Sequence, residues 1–383
     1  MNWIDTRHKN ILLAALGAGI LLLCAAFWLR HVGALLAACG IFLAIAAALV
    51  RRIRPYAIFG ASLLVSLAIA EVAVPVFQKG AKPQAMMDPA SDYGKGAYGK
   101  ISDLGWQGKE GAYTSRKISS TGETIYDVVY TIGQDGFRVT PASAAGKQRI
   151  NFFGCSFTFG EGLNDNETLP YFVNQRIKNI SVKNFGFHGF GAHQALAILQ
   201  SDRDTTGAIN FFLTAPWHAP RSSCKPEYTA GSPRYRLSGG EAIRDGQCGQ
   251  HTGNALLNRI LAGSRLYALA SNIQRDSVRD ADFELYLALV KKMAEISRAR
   301  NQKFVVGFIK ADPEFFRESH YSNEIIYLKL KGMADEVVDL TLAQDSKDLE
   351  RKYYIHPLDK HPSGLANSER AVLLSGAFGK YLH

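Results

Sequence analysis

Three apolar runs open the chain. Ile11–Leu29 and Val32–Val50 carry no charge, and Ala57–Phe77 carries only Glu71. Each is about as long as the roughly 20 residues a helix needs to cross a bilayer. None shows the polar stripe that a helix on a soluble protein presents to water. A cleaved signal peptide would give one short run and a small-residue cleavage site, not three runs in series. The pattern predicts a three-span anchor over residues 1–79. Glu71, near the outer end of the third run, reads either as interfacial or as an intramembrane acid that relays protons or meets a partner helix.

The periodicity changes after the anchor. Residues 80–146 start as a linker rich in Gly, Ser, Lys and Tyr. Within them Thr124–Ile132 (TIYDVVYTI) is β-branched and aromatic and runs into Gly133 and Asp135-Gly136, a strand followed by a turn. This stretch is expected to add accessory strands to the domain that follows. From residue 147 to 383, short apolar runs alternate with helical patterns. Strands are predicted at Arg149–Phe153, Val182–Asn184, Ala208–Leu213, Phe304–Ile309 and Val337–Leu340. Helices are predicted at Thr168–Ile180, Ala192–Gln200, Asn254–Gln274, Phe283–Arg300 and Gly364–Tyr381. Such alternation favours a parallel sheet covered on both faces, with its site at the carboxyl ends of the strands.

Charge adds orientation and removes one class of function. Arg7 and Lys9 precede the first run, and Arg51, Arg52 and Arg54 separate the second from the third, whereas the other side has Arg30, then Lys79 and Lys82. Excess Lys and Arg mark the cytoplasmic side. The N-terminus is therefore expected inside and everything after Phe77 outside, which in a Gram-negative cell is the periplasm. The net charge of +10 is mostly this signal: residues 1–82 hold eight cations against two acids, leaving 36 against 32 in the rest. With the soluble part nearly balanced and no cluster of cations interleaved with aromatics, nucleic-acid binding is not expected. Cys224 and Cys248 share one polar stretch outside the membrane, where a disulfide can persist; two unrelated thiols fit the sequence equally well.

Two segments carry candidate chemistry. The first strand ends in Phe152–Gly162 (FFGCSFTFGEG), where Gly154 and Gly160 flank Ser156 in a turn that lifts the serine to the sheet edge and offers backbone N–H groups to an oxyanion. A phosphate loop would need Lys and Ser/Thr directly after its last Gly, and Glu161 stands there instead. Near the C-terminus, Ile355–Asn367 (IHPLDKHPSGLAN) supplies Asp359 and His361. A serine hydroxyl needs a base, usually histidine, and the histidine needs a carboxylate to fix its tautomer. Two positions apart on extended chain, Asp359 and His361 project to one side. Cys155 is a weaker candidate for a thiol nucleophile. His188, His193, His218, His356 and His361 show no metal-ligand spacing, so no metal is expected.

From about Arg149 to His383 these residues resemble the SGNH, or GDSL-type, hydrolase family. Gly154-Cys155-Ser156, followed by Phe157-Thr158-Phe159-Gly160, matches its first block. Asn184-Phe185-Gly186-Phe187-His188-Gly189 matches its second, and Asp359, His361 and Pro362 match its last. The resemblance implies a flavodoxin-like three-layer α/β/α domain with a parallel sheet and acyl transfer through Ser156, with His361 as base and Asp359 orienting it. The N–H groups of Ser156 and Gly189 would hold the oxyanion, and no cofactor would be needed. Three departures stand out. Cys155 replaces the first-block Asp. Leu358 occupies the commoner place of the triad Asp, three before the histidine. The third-block Asn is missing from Thr214-Ala215-Pro216-Trp217-His218-Ala219-Pro220-Arg221. There His218 is a candidate third oxyanion donor and Arg221 a candidate holder of an acidic group on the substrate, although both also fit plain loop structure.

Outward-facing, membrane-tethered members of this family often handle O-acetyl groups on exopolysaccharide or cell-wall glycans. The resemblance thus implies an esterase or O-acyltransferase on a surface polysaccharide or exopolysaccharide. With no nucleotide or acyl-CoA motif, a transferase would draw its acyl group from a membrane donor protein. A degenerate domain that binds glycan or scaffolds a polysaccharide export complex is the alternative.

Overall fold

The computed structural model describes residues 32–49, 54–77, 85–101, 103–141, 146, 148–249, 264–267, 278–342 and 352–382. The chain divides into two compact units, one of residues 1–82 with 251–276, the other of residues 83–250 with 277–383. In the first unit, α1 (Val32–Leu49) and α2 (Arg54–Phe77) form an antiparallel pair. A Cβ on Gly40 would stand 3.1 Å from Val65 and 3.3 Å from the Ala61 carbonyl oxygen, and one on Gly60 3.1 Å from Leu43. Small residues at the crossing let the backbones approach, as in membrane helix pairs. The outer face of α2 leaves Phe59, Ile69 and Val72 exposed. By length and composition α2 is able to cross a membrane over Arg54–Ala73, whereas α1 holds a shorter apolar stretch, Leu35–Ile45. The first predicted span lies outside the described residues.

Glu71 is buried in this unit. Its carboxylate accepts the N–H groups of Arg265 at 2.8 Å and Leu266 at 3.2 Å, as well as the Ser264 hydroxyl. These donors belong to the segment predicted as a helix over Asn254–Gln274, which otherwise lies outside the described residues.

The second unit begins with accessory strands β1 (Ala85–Met87), β2 (Tyr98–Ile101), β3 (Gly105–Gly108), β4 (Gly111–Ser119) and β5 (Thr124–Ile132), paired as a β1-β4-β5 sheet and a β2-β3 hairpin. Then β6 (Gln148–Phe153), β7 (Ile180–Asn184) and β8 (Ile209–Thr214) enter a central sheet. A hairpin of β9 (Pro233–Ser238) and β10 (Glu241–Gln247) follows, and β11 (Lys303–Phe308) and β12 (Glu336–Asp339) complete the sheet. Its order, β12-β11-β8-β6-β7, is parallel throughout and is the flavodoxin order. Every residue of β8 is buried, as a strand covered on both faces requires.

Helices cover both faces. On one side α3 (Leu169–Arg176) and α7 (Gly364–Gly379) pack Leu169, Val173, Leu374 and Phe378 onto Ile150, Phe152 and Phe211. On the other, α4 (Ala192–Gln200) and α5 (Asp280–Ala299) pack Leu196, Phe283 and Val290 onto Phe153, Phe212 and Val306. Tyr93, Tyr126, Tyr130 and Phe137 of the accessory region join this second core. α6 (Asn323–Lys331) precedes β12, and a short hairpin of β13 (Tyr354–His356) and β14 (Asp359–Pro362) leads into α7. The helix expected over Thr168–Ile180 is shorter. Thr168 caps α3 through its hydroxyl, and Asn179 takes φ +60° to turn the chain into β7.

Candidate active site

The turn that carries Ser156 is forced by local sterics. After β6, Gly154 takes φ +153°, and a Cβ there would sit 2.1 Å from Thr158 Oγ1 and 2.9 Å from the Leu213 carbonyl oxygen. One helical turn, Ser156–Phe159, follows and ends at Gly160 with φ +86°. Two side chains hold this turn from outside. Asn184, at the end of β7, donates to the Thr158 carbonyl at 3.0 Å and accepts the Gly186 N–H at 3.0 Å. Arg138, whose side chain is 0% exposed, donates to the carbonyls of Phe159 (3.0 Å), Gly160 (2.6 Å) and Leu163 (2.6 Å) and to Asp165 (2.8 Å).

β14 delivers the other groups. His361 Nε2 lies 2.9 Å from Ser156 Oγ, and His361 Nδ1 is hydrogen-bonded to Asp359 Oδ1. With Nδ1–H donated to Asp359, Nε2 is free to accept the serine proton. The structure thus brings together three residues spread over more than two hundred positions.

Two charged residues that sequence reasoning did not single out complete the cluster. Lys117, from β4, donates to Asp359 Oδ2 at 2.6 Å and Glu161 Oε1 at 3.1 Å. Glu161 Oε2 lies 2.7 Å from His188 Nδ1 and 3.4 Å from His361 Nε2. Burial penalises the Glu161 carboxylate, yet His361, His188 and Lys117 outweigh it and hold its carboxyl well below the usual range. Burial also works against the Asp359 charge, but His361 and Lys117 bring its pKa below the ordinary value. For His361, burial favours the neutral ring, and Glu161 and Asp359 overcome it to raise the pKa. No spacing in the sequence marks Lys117; the structure puts it on the same face of β4 as Ser115 and Ser119, both buried. Among the described residues, Glu161, Asp359 and His361 form the one acid–histidine cluster close enough to cradle a metal ion. Lys117 already bridges its two carboxylates, so a cation is built into that place.

Ser156, Glu161, His188, Gly189, Arg221 and His361 open onto a cavity of about 660 Å³ with walls that include Tyr98, Trp106, Tyr126, Phe187 and Tyr228. Gly189 takes φ +71°, and Trp106 Nε1 donates 2.9 Å to the preceding His188 carbonyl, so the accessory hairpin fixes the loop that carries Gly189. Arg221 Nη1 donates to the Phe190 carbonyl at 3.0 Å, and its guanidinium lies 6.0 Å from the Tyr228 ring; among the described residues no carboxylate pairs with it. His218 is placed elsewhere. At the start of the short helix His218–Ser222 its ring is buried against Phe212 and bonded through Nδ1 to Thr214 at 3.0 Å, and it does not line the cavity. It is not positioned as an oxyanion donor. A cavity of about 740 Å³ shares no lining residue with the first; its walls carry matched ion pairs such as Arg149–Asp204 and Arg203–Asp103. Cys224 and Cys248 form a disulfide.

No protein-family model and no curated protein matches the chain. Among solved structures it is similar to a putative lipolytic protein of the G-D-S-L family from Desulfitobacterium hafniense DCB-2, at 13% identity over 60% of this chain and 99% of that one, with a TM-score of 0.30. A member of the lipolytic G-D-S-L family from Veillonella parvula DSM 2008 matches at 13% identity over 61% and 98%, TM-score 0.37. AlinE4, an SGNH-hydrolase family esterase, matches at 16% over 63% and 100%, TM-score 0.33.

Proposed function

We propose that this chain is a serine-dependent ester-processing enzyme of SGNH type, an esterase or O-acyltransferase acting on an acylated glycan outside the cytoplasmic membrane. The observation that carries the reading is the 2.9 Å approach of His361 Nε2 to Ser156 Oγ with Asp359 on the far nitrogen. In the reaction, the Ser156 proton passes to His361 as Oγ attacks the ester carbonyl. The N–H groups of Ser156 and Gly189 receive the oxyanion, and the alcohol leaves with the proton from His361. Water then yields an esterase, a sugar hydroxyl an acyltransferase. Tyr98, Trp106 and Tyr228 give the cavity aromatic walls suited to a sugar, and Arg221 offers a cation to an acidic group on it. Acetyl is the acyl group the family resemblance favours, and a membrane donor protein would supply it for transfer. The apolar runs and the cation asymmetry support three spans, an inside N-terminus and a catalytic unit outside the cytoplasmic membrane, in a Gram-negative cell the periplasm, and the Cys224–Cys248 bridge suits an oxidising compartment.

A second reading, a glycan-binding or scaffolding domain without turnover, draws on the missing third-block Asn, because His218 does not supply the third donor. One oxyanion donor is typically worth about 100- to 1000-fold in rate. A serine-reactive fluorophosphonate applied to the full chain decides. Labelling lost in Ser156→Ala and reduced in His361→Ala supports the enzyme, and a folded chain that does not label supports the binding domain.

A further inference from the structure

His361 faces two carboxylates rather than one. Asp359 meets Nδ1, and Glu161 Oε2 stands 3.4 Å from Nε2, the nitrogen that also faces Ser156 at 2.9 Å. Lys117 ties the two carboxylates together, 2.6 Å from one and 3.1 Å from the other. The ring also meets the Phe157 ring, centroids 5.5 Å apart, and His188 stands behind Glu161. Side-chain exposure is only 16% at Lys117, 17% at Glu161 and 3% at Asp359, so these charges act with little screening.

We propose that Glu161 and Lys117 are positioning residues that set the basicity of His361, Glu161 strengthening its hold on a proton at Nε2 and Lys117 weakening it. The proposal rests on the acyl-serine reading and assigns the balance of that site. When the proton leaves Ser156 Oγ for Nε2 and the Oγ–C bond forms, the imidazolium finds a carboxylate on each nitrogen. With neutral His361, the charges of Asp359, Glu161 and Lys117 sum to minus one; proton transfer brings the cluster to zero. Without Lys117 two uncompensated carboxylates would hold the imidazolium, and release of the Nε2 proton to the leaving alkoxide, as the ester C–O bond breaks, would slow. Without Glu161 the ring would be a weaker base. The accessory strands therefore do more than cover the domain: β4 inserts a cation into the reacting cluster. Asp359 keeps its place on the far nitrogen when Glu161 or Lys117 is neutralised.

The test measures the pH dependence of kcat/KM for p-nitrophenyl acetate, with the full chain in detergent, and the titration of the His361 ring by NMR of 13C-histidine, assigned with His361→Gln. One neighbouring charge shifts a pKa by about one to three units, and partial exposure favours the low end. Activity requires the neutral ring, so it rises as pH passes the His361 pKa. Glu161→Gln is expected to lower that pKa and move the rising limb about one unit toward acid. Lys117→Met is expected to move it about one unit toward base, and Lys117→Arg to restore it. Shifts in the same direction, or a His361 titration unchanged in Glu161→Gln and Lys117→Met, overturn the proposal. If Glu161→Gln does not fold, the Lys117→Met and Lys117→Arg pair decides alone. If the unmodified chain hydrolyses no ester through Ser156, the acyl-serine reading fails, while the ring titration still decides this one.

Discussion

Arg138 offers the sharpest test of how the Ser156 turn is held. Arg138→Met keeps much of the aliphatic stem and removes the guanidinium. Three carbonyls, of Phe159, Gly160 and Leu163, then lose a donor in a place where the arginine side chain is 0% exposed, and Asp165 loses its ion-pair partner. An unsatisfied buried group costs about 1–3 kcal/mol, and breaking a buried ion pair about 3–5 kcal/mol. The two overlap, because one side chain makes all the contacts and Asp165 keeps the Thr131 N–H at 3.2 Å. The loss of the guanidinium over the rings of Tyr130, at 4.5 Å, and Phe159, at 4.9 Å, adds to it. A net destabilisation of about 4 kcal/mol is expected, which for a unit of this size lowers the thermal midpoint by roughly 10 °C. Tryptophan fluorescence of the full chain in detergent, followed on heating, measures it. Fluorophosphonate labelling at 25 °C is expected to slow as well, since the carbonyls concerned belong to the turn that presents Ser156. Arg138→Lys keeps the charge but offers a point donor instead of a fork, and less than half of the stability is expected to return. A midpoint for Arg138→Met within about 2 °C of the unmodified chain would refute this account of the turn.

Three further outcomes follow from the same geometry. Asp359→Asn leaves the shape of β14 but disturbs the His361 tautomer, so ester hydrolysis is expected to fall by about 10³- to 10⁴-fold, measured as kcat in a chain whose unfolding midpoint is checked alongside. The Cys224–Cys248 bridge closes a loop of sequence separation 24, worth about 3 kcal/mol by chain entropy; replacing both cysteines with serine is expected to lower the midpoint, and adding reductant to the double variant to change nothing more. Stability against pH has two windows of opposite sign. The depressed pKa values of Asp359 and Glu161 contribute in full above about pH 5 and are lost as pH falls through their folded-state values, whereas the raised pKa of His361 contributes below about pH 6 and is lost as pH rises through its folded-state value. Urea midpoints from pH 3 to 9 are expected to decline at both ends, and the acid decline is expected to shrink in Glu161→Gln.

What the sequence disclosed was what depends on near neighbours. RINFF, AINFFL and FVVGFI are largely apolar, so strands buried on both sides were legible, and their alternation with helical patterns led to a parallel sheet. The turn around Ser156 was legible because glycine at a positive φ has few substitutes, and Asp359 and His361 because two residues of one strand share a face. Arg138, Lys117 and Glu161 were not legible in that way. Each acts on partners that the fold alone brings near, Lys117 across 242 positions to Asp359 and Arg138 across 22 to Gly160, and no local spacing marks such a meeting. Glu161 was noticed only as the residue that breaks a phosphate loop. His218 shows the reverse error. Its place at the end of β8 suggested a donor, but the short helix that begins there tucks its ring beneath Phe212, while Arg221, one turn later, lines the cavity. The residues hidden from the sequence are charged side chains inside the domain, and charge is tolerated there only in matched sets. A half-buried Lys on an inward strand face therefore implies acids nearby, and here those acids, Glu161 and Asp359, both stand beside the histidine that faces Ser156.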